Sequence, residues 1–209
     1  MCGRYYIDDE SDLLEIRKIL ADLNDRFRGQ PALDALKTRE IFPSQVVPVI
    51  RSFEMEDHTA RLLPDLMAWG IQSKSLLINA RAETAAIKPT FRQSLATRRV
   101  LVPATAFFEW QTRSGQPGKM KIRLFRPEEP VFYMAGLFQP LDAQDNPLQV
   151  SGTFVILTRP ANASVAPVHD RMPLIVPRDQ LRPYLQDPAA AFRLLQADVA
   201  AQLTLQTAD

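Results

Sequence analysis

With 209 residues, 46% of them apolar, the chain is large enough to bury a core as one generous domain or two small ones, and its composition excludes wholesale disorder. A single cysteine and two histidines, His58 and His169, exclude a disulfide framework and cysteine-rich metal sites; nothing calls for a zinc ion or an organic cofactor, and no spanning apolar run or secretory leader is legible, so the chain reads as cytoplasmic. Net charge is +1 but unevenly spread: residues 1–70 hold 9 Lys and Arg against 13 acids, residues 71–126 hold 11 against Glu83 and Glu109 alone, and residues 127–209 hold 5 against 9. A basic middle between acidic flanks is expected if one surface meets phosphates, unless folding scatters these charges around the domain.

The chain opens Met1-Cys2-Gly3-Arg4. An initiator methionine before so small a side chain is normally removed, and one residue would then carry both an α-amine and a thiol. Their ordinary pKa values, about 7.7–8.0 and about 8.5, leave a useful fraction of each nucleophilic near neutral pH. Such a 1,2-aminothiol condenses with an aldehyde to a Schiff base, and the thiol then closes a thiazolidine ring. The alternative is that a cysteine at position 2 is accidental.

A first strand runs through Gly3 to Ile7. The cluster Asp8 to Asp12 opens a helix with Leu13, Ile16, Leu20 and Leu23 on its apolar face, the acids suiting the positive end of the helix dipole. Phe42-Pro43-Ser44-Gln45 reads as a rigid turn, and Val46 to Phe53 as a strand that Pro48 marks as an edge or a bulge. His58 falls in an exposed hairpin-like segment. Leu62 to Trp69 and Leu76 to Asn79 are further strands, followed by a loop and short helix from Thr84 to Ala96. Two apolar runs, Arg99 to Pro103 and Thr105 to Trp110, break around Pro103. Ser114-Gly115-Gln116-Pro117-Gly118 is a hairpin turn leading into a strand over Met120 to Phe125. Strands follow over Val131 to Phe138, Thr153 to Thr158 and Met172 to Val176, the last of them. An alanine-rich helix from about Pro188 to Leu203 presents Phe192, Leu195 and Val199 on one face. The whole reads as one α+β domain over residues 1–209, a curved, mostly antiparallel, barrel-like sheet flanked by a few helices.

Three segments could carry chemistry. In Ile78-Asn79-Ala80-Arg81-Ala82-Glu83-Thr84 an amide and an arginine leave a strand end together, able to orient a carbonyl and grip a phosphate, or simply to be solvated there. In Phe107-Phe108-Glu109-Trp110 a carboxylate among aromatics would be desolvated and fit for proton transfer, and Trp110 could stack on a base. Plain alternation, with Glu109 outward and Phe108 and Trp110 inward, explains the same letters. His169-Asp170-Arg171-Met172-Pro173 sets an imidazole just before a strand, as a proton carrier or a hydrogen-bonded structural histidine.

Met-Cys-Gly-Arg-Tyr, Ile-Asn-Ala-Arg-Ala-Glu-Thr, Phe-Phe-Glu-Trp and His-Asp-Arg-Met-Pro, in this order from Cys2 to Pro173, resemble the SOS response-associated peptidase (SRAP) family of abasic-site processing proteins. The resemblance implies a DNA repair protein of one α+β domain whose processed N-terminal cysteine crosslinks to the ring-opened aldehyde of an abasic site in single-stranded DNA, leaving a thiazolidine that shields the lesion. It implies Cys2 as nucleophile through nitrogen and sulfur, Asn79 orienting the amine and the sugar, Glu109 moving protons, and His169 assisting ring opening. It implies phosphate contacts from Arg4, Arg81 and Arg171, and DNA contacts from Trp110, Thr158 and Pro43. It also implies removal of the protein's own first residue and strand cleavage beside the lesion. Two departures stand out. The segment Ile71 to Leu77 is short and lacks the aromatics that help family members part a duplex at single-strand/double-strand junctions, and an asparagine-containing segment often found at the family's C-terminus is missing. A monomer suffices for all of this. The rival readings are an N-terminal nucleophile amidohydrolase using the Cys2 thiolate, and a noncovalent single-strand-binding module in which Cys2 is idle.

Overall fold

A computed structural model describes residues 2–112, 118–197 and 201–208. The first strand, β1 (Tyr5–Ile7), buries Tyr5 and Ile7 and turns Tyr6 outward, as strand alternation requires. At its exit Asp8 accepts the backbone N–H groups of Glu10 and Ser11 through one carboxylate oxygen. The acidic cluster therefore makes a turn ahead of α1 (Leu14–Arg26) and not the helix's first turn. The apolar periodicity holds: Ile16, Ile19 and Leu23 are buried, with Leu13 and Leu20 packed at the margin of the same core.

After α2 (Pro31–Asp34) and β2 (Arg39–Ile41), strands β3 (Val46–Glu54) and β4 (Ala60–Trp69) form a hairpin in unbroken register from Val46↔Ala68 to Glu54↔Ala60, with His58 exposed at its tip. Pro48 lies inside this sheet, not at an edge. It is tolerated because β3 pairs with its other neighbour only at Ile50, so the missing N–H interrupts no recorded ladder on that side. The expected strand over Leu76 to Asn79 is two elements. β5 (Ile71–Gln72) and β6 (Leu76–Leu77) make a small hairpin, and Asn79 begins a separate strand, β7 (Asn79–Arg81). Gly70 enters that hairpin at φ +124°, where a Cβ would sit 2.7 Å from Leu76 Cδ1.

Helices α3 (Ala82–Ala85) and α4 (Pro89–Thr97) lead to β8 (Arg99–Ala104) and β9 (Ala106–Thr112). The break between these strands falls at Thr105 rather than Pro103, which pairs in register with Tyr133. The Thr105 backbone N–H and hydroxyl both donate to Tyr6 O, crossing from one sheet to the other. Most of the expected turn at 114–118 lies outside the described residues, but its consequence is visible: β10 (Lys119–Phe125) pairs antiparallel with β9 from Thr112↔Lys119 onward. Then come β11 (Phe132–Gln139), β12 (Thr153–Pro160), β13 (Arg171–Pro173), β14 (Ile175–Val176), α5 (Leu181–Gln186), α6 (Pro188–Gln196) and β15 (Thr204–Thr207). The last helix is thus shorter than expected. It buries Ala190, Ala191 and Leu194 while Phe192 is exposed, and Val199 lies outside the described residues. β15 is a strand with no burial pattern, held by edge pairing to β10.

The strands assemble into a small sheet ordered β15-β10-β9-β1-β2 and a large one ordered β13-β12-β4-β3-β8-β11-β14. An additional β11–β12 pairing closes the large sheet on itself, as in a barrel. Pairing is antiparallel except where β12 runs alongside β4 and β7. The result is a single α+β domain with mostly antiparallel sheets. Arg99 shows why the basic middle of the sequence is not one surface: it is buried and donates to the carbonyls of Leu95 and Ala96 at the end of α4 and of Tyr184 and Leu185 in α5. No helix among the described residues is long and apolar enough to cross a membrane.

Candidate active site

Cys2 lies three residues ahead of the first residue of β1, at the seam between the two sheets, and is fully buried in the chain that carries Met1. Its sulfur lies 3.6 Å from Arg4 O as a weak donor. The Asn79 amide, at the first position of β7, donates to Cys2 O at 2.9 Å. Asn79 is set there by the parallel pairing of β7 with β12, Asn79 opposite Ile156. Its neighbour Ile78 offers its carbonyl to the Trp69 indole N–H at 2.9 Å, and the Trp69 ring stands edge-on to Tyr5 with centroids 5.2 Å apart.

Strand β9 supplies the acid, and its phase resolves the ambiguity in Phe107-Phe108-Glu109-Trp110. Alternation is present but inverted from the plain expectation. Phe107 and Glu109 face inward with Tyr5, whereas Phe108 meets Tyr6 and Trp110 meets Arg4 on the outer face. Glu109 is 3% exposed, and burial pushes its carboxyl above the usual range, with the nearby His169 opposing the shift. His169 Nε2 stands 3.9 Å from Glu109 Oε2. The other ring nitrogen faces both Arg171 N–H at 2.9 Å and Asp170 Oδ1 at 2.8 Å. Those two contacts want opposite tautomers: a proton on Nδ1 is held by Asp170, and a proton on Nε2 leaves Nδ1 to accept from Arg171 and aims an N–H toward Glu109. Each form of the imidazole has a partner, which is what a proton carrier needs. Among the described residues no three His, Cys, Asp or Glu side chains gather closely enough to hold a metal ion.

The sulfur does not have the pKa expected of an ordinary cysteine. Burial first, and the Glu109 carboxylate second, push the Cys2 thiol far above its usual value. In the chain bearing Met1 burial thus favours the protonated thiol.

The expected DNA contacts divide into two groups. Arg4 sits on the outer face of the small sheet, its guanidinium 4.2 Å from the Phe42 ring centroid and 4.9 Å from that of Trp110, with Nη1 3.1 Å from Glu40 Oε1. Lys121 reaches the same Glu40 oxygen at 2.9 Å and covers the Phe108 ring. Pro43 follows Phe42 in a tight turn closed by the Gln45 side chain on Phe42 N and by Ser44 N on Trp69 O. A concavity of about 410 Å³ opens on this face beside Tyr6, Glu40, Lys121 and Arg123. Arg81 is exposed at the end of β7.

Arg171 and Thr158 are different: both are buried. Arg171 grips both carboxylate oxygens of Glu83 and donates to Thr158 O at 2.7 Å, while the Thr158 hydroxyl lies 3.5 Å from Ala80 O. As they stand Thr158 does not meet solvent and Arg171 barely does; they brace the junction of β7 and α3 from beneath. Sequence reasoning singled out neither Glu40 nor Tyr5. The alternation of β1 carries a signal for Tyr5, since it pairs Tyr5 with Ile7 on the inner face.

The sequence profile of the SOS response associated peptidase (SRAP) family matches residues 1–207. Two Bacillus subtilis proteins are each 31% identical to this chain: abasic site processing protein YoqW over 205 residues, covering 94% of this chain and 87% of that protein, and abasic site processing protein YoaM over 193 residues, covering 88% and 79%. A crystal structure of a Bacteroides thetaiotaomicron protein superposes with a TM-score of 0.72, covering 99% of this chain and 91% of that one, at 21% identity, a likeness of fold. With four ordered motifs converging on one seam and a profile match over nearly its whole length, the chain belongs to the SRAP family.

Proposed function

We propose that the protein captures abasic sites in single-stranded DNA by forming a thiazolidine crosslink through Cys2 after Met1 has been removed. The observation that carries this reading is the convergence of Asn79 on the Cys2 backbone and of the buried Glu109–His169 pair on the same seam. The naming of the relatives as abasic site processing proteins supports the DNA lesion as substrate.

Removal of Met1 creates the α-amine on Cys2 and takes away the residue that precedes it. The amine is the first nucleophile, and the thiol acts second, giving up its proton as it adds. The amine adds to the C1′ aldehyde, and the carbinolamine loses its hydroxyl as water once an acid protonates it. Glu109, whose burial raises its carboxyl pKa above the ordinary range, is that acid. The thiol then adds to the imine carbon: an S–C bond forms, the C=N electron pair returns to nitrogen, and the thiol proton goes to Glu109, by then a carboxylate. His169 exchanges protons with Glu109 and assists sugar opening. Arg4, Trp110 and Phe42 form the plate that receives the flanking strand, with Pro43 shaping its edge and Arg81 contributing a phosphate contact. Amines, thiols and aldehydes already react in water, so the work of the site is proximity and timed proton transfer. We extend the reading to self-removal of Met1, and to strand cleavage at the lesion through the Schiff base, as activities of the same residues in a monomer.

The test is a denaturing gel after incubation with a single-stranded oligonucleotide bearing one abasic site, with intact mass measured in parallel. A shifted band that requires Cys2 and loss of Met1 is expected. A band that persists in Cys2→Ala, or turnover of peptide amides without crosslinking, would reject the reading in favour of noncovalent binding or an amidohydrolase.

A further inference from the structure

Glu109 and His169 stand on separate elements. Glu109 belongs to strand β9, whereas His169 is carried by residues 161–170, a succession of turns between β12 and β13 with no helix or strand of its own. His169 Nε2 lies 3.9 Å from Glu109 Oε2, roughly 1 Å beyond hydrogen-bond reach, so a small displacement of this loop decides whether a proton can pass. The loop is closed at its base by Ala161 N–H on Asp170 O at 2.9 Å. Its first half is knotted around Asn162, whose side-chain oxygen accepts from Ser164 and Val165, and is tied to the tail by Asn162 on Ala201 O and by Leu203 N–H on the Ser164 hydroxyl. Those anchors lie well ahead of His169.

The second half of the loop meets β9 directly. Gln111 Nε2 donates to Pro167 O at 2.9 Å. Gln111 is two positions beyond Glu109 and so on the same face of the strand, and Pro167 is two positions before His169. The Gln111–Pro167 bond and the Glu109–His169 approach therefore lie side by side between one strand and one loop. A carbonyl only accepts, so it is the NH₂ end of the Gln111 amide that faces Pro167, and the proline ring, which fixes φ, gives the bond a stiff anchor.

We propose that Gln111 is a positioning residue for proton transfer in the capture reaction: by holding the loop at Pro167 it sets the distance between the His169 imidazole and the Glu109 carboxyl. Gln111 itself exchanges no proton and touches no reacting atom. Its importance follows from the gap it governs, since a misplacement of about 1 Å at a reacting group can cost on the order of 10²-fold in rate. The side chain is only half-buried, and its bond is a single neutral one at the rim of the site, so the fold should stand without it.

This inference rests on the crosslinking reading, and its test separates the two. Gln111→Met keeps the length of the side chain and removes the donor. It is compared with wild type, and in a His169→Ala background, by single-turnover crosslinking to a single-stranded oligonucleotide bearing one abasic site. The histidine ring signals are recorded by NMR without DNA, where His58, exposed at the tip of the β3–β4 hairpin, serves as an internal control. Gln111→Met should slow crosslinking by roughly 10-fold or more in the wild-type background and by no more than about twofold where His169 is already absent, because a residue acting through another has nothing left to position. The ring signals of His169 should move and those of His58 should not. Equal slowing in both backgrounds, or His169 signals that stay in place, overturns the role of Gln111. A wild type that never crosslinks overturns the functional reading instead, and the ring signals still decide whether Gln111 positions His169.

Discussion

The Asn79 amide holds the carbonyl of Cys2 at 2.9 Å across 77 residues of sequence, tying Cys2 to β7, which runs parallel to β12. The bond fixes the backbone of residue 2, and so the direction in which a newly exposed amine would point. Asn79→Ala should slow crosslinking by roughly 10- to 100-fold through misplacement of the nucleophile, yet reduce stability by only about 1 kcal/mol, since one hydrogen bond is lost. Crosslinking kinetics and thermal unfolding of the same preparations check this; a large stability loss with an intact rate per folded molecule would make Asn79 a structural residue only.

Glu40 accepts both Arg4 and Lys121 on the outer face of the small sheet, so an acid neutralises two cations where the flanking strand is proposed to lie. Glu40→Gln should tighten binding of single-stranded DNA several-fold and steepen its salt dependence by about 0.7 logarithmic unit for each cation released to a phosphate. Arg4→Ala should do the reverse, and Trp110→Ala should weaken binding by the roughly 1–3 kcal/mol of a lost stacking contact. Filter binding over a salt series reads all three. A Glu40→Gln protein that binds more weakly would mean that the acid's role is to hold Arg4 in place.

How far these arrangements could be read in advance depends on what each element is packed against. The core face of α1 was legible because Ile16, Ile19 and Leu23 obey the helical period whatever surrounds them. The phase of β9 was not: Phe107 and Phe108 are both apolar, so alternation allows either face to be buried, and only Tyr5 and Trp69 on one side against Tyr6 and Lys121 on the other decide it. β15 left no pattern at all, since Thr204 to Thr207 are all exposed and the strand exists through backbone pairing to β10. The four motifs located Cys2, Asn79, Glu109 and His169 through their resemblance, but not the burial of Cys2, which depends on both sheets at once.

Arg171 is the residue whose expected role and position disagree most. Its guanidinium is largely buried, doubly paired with Glu83 and bonded to Thr158 O, so a phosphate would have to displace a carboxylate to reach it. Arg171→Lys, which keeps the charge but not the fork, should cost about 1–3 kcal/mol of stability, the lower end reflecting the 42% exposure of the Glu83 side chain. Its DNA affinity per folded molecule should change less than that of Arg4→Ala. A variant as stable as wild type with sharply weaker DNA binding would restore the phosphate contact.

The raised pKa of Glu109 carries a prediction that couples chemistry to stability. Folded protein holds the Glu109 proton to higher pH than unfolded chain does, so the native state binds more protons between the two values. Stability then falls as pH rises from the unfolded pKa through the folded one, and at neutral pH a buried carboxylate is a burden on the fold. Glu109→Gln removes that burden: at neutral pH it should unfold at a higher temperature than wild type, and the difference should vanish in acid, below the ordinary carboxylate range of about 4 where both states are protonated. The same change removes the proton carrier, so crosslinking should slow by about 10²–10⁴-fold with DNA affinity nearly intact. Thermal unfolding across pH, alongside single-turnover crosslinking, reads both halves. A Glu109→Gln protein that is less stable at neutral pH would mean that the charged carboxylate, paired with His169, holds this seam together rather than straining it, and the acid role would then have to be sought in His169 itself.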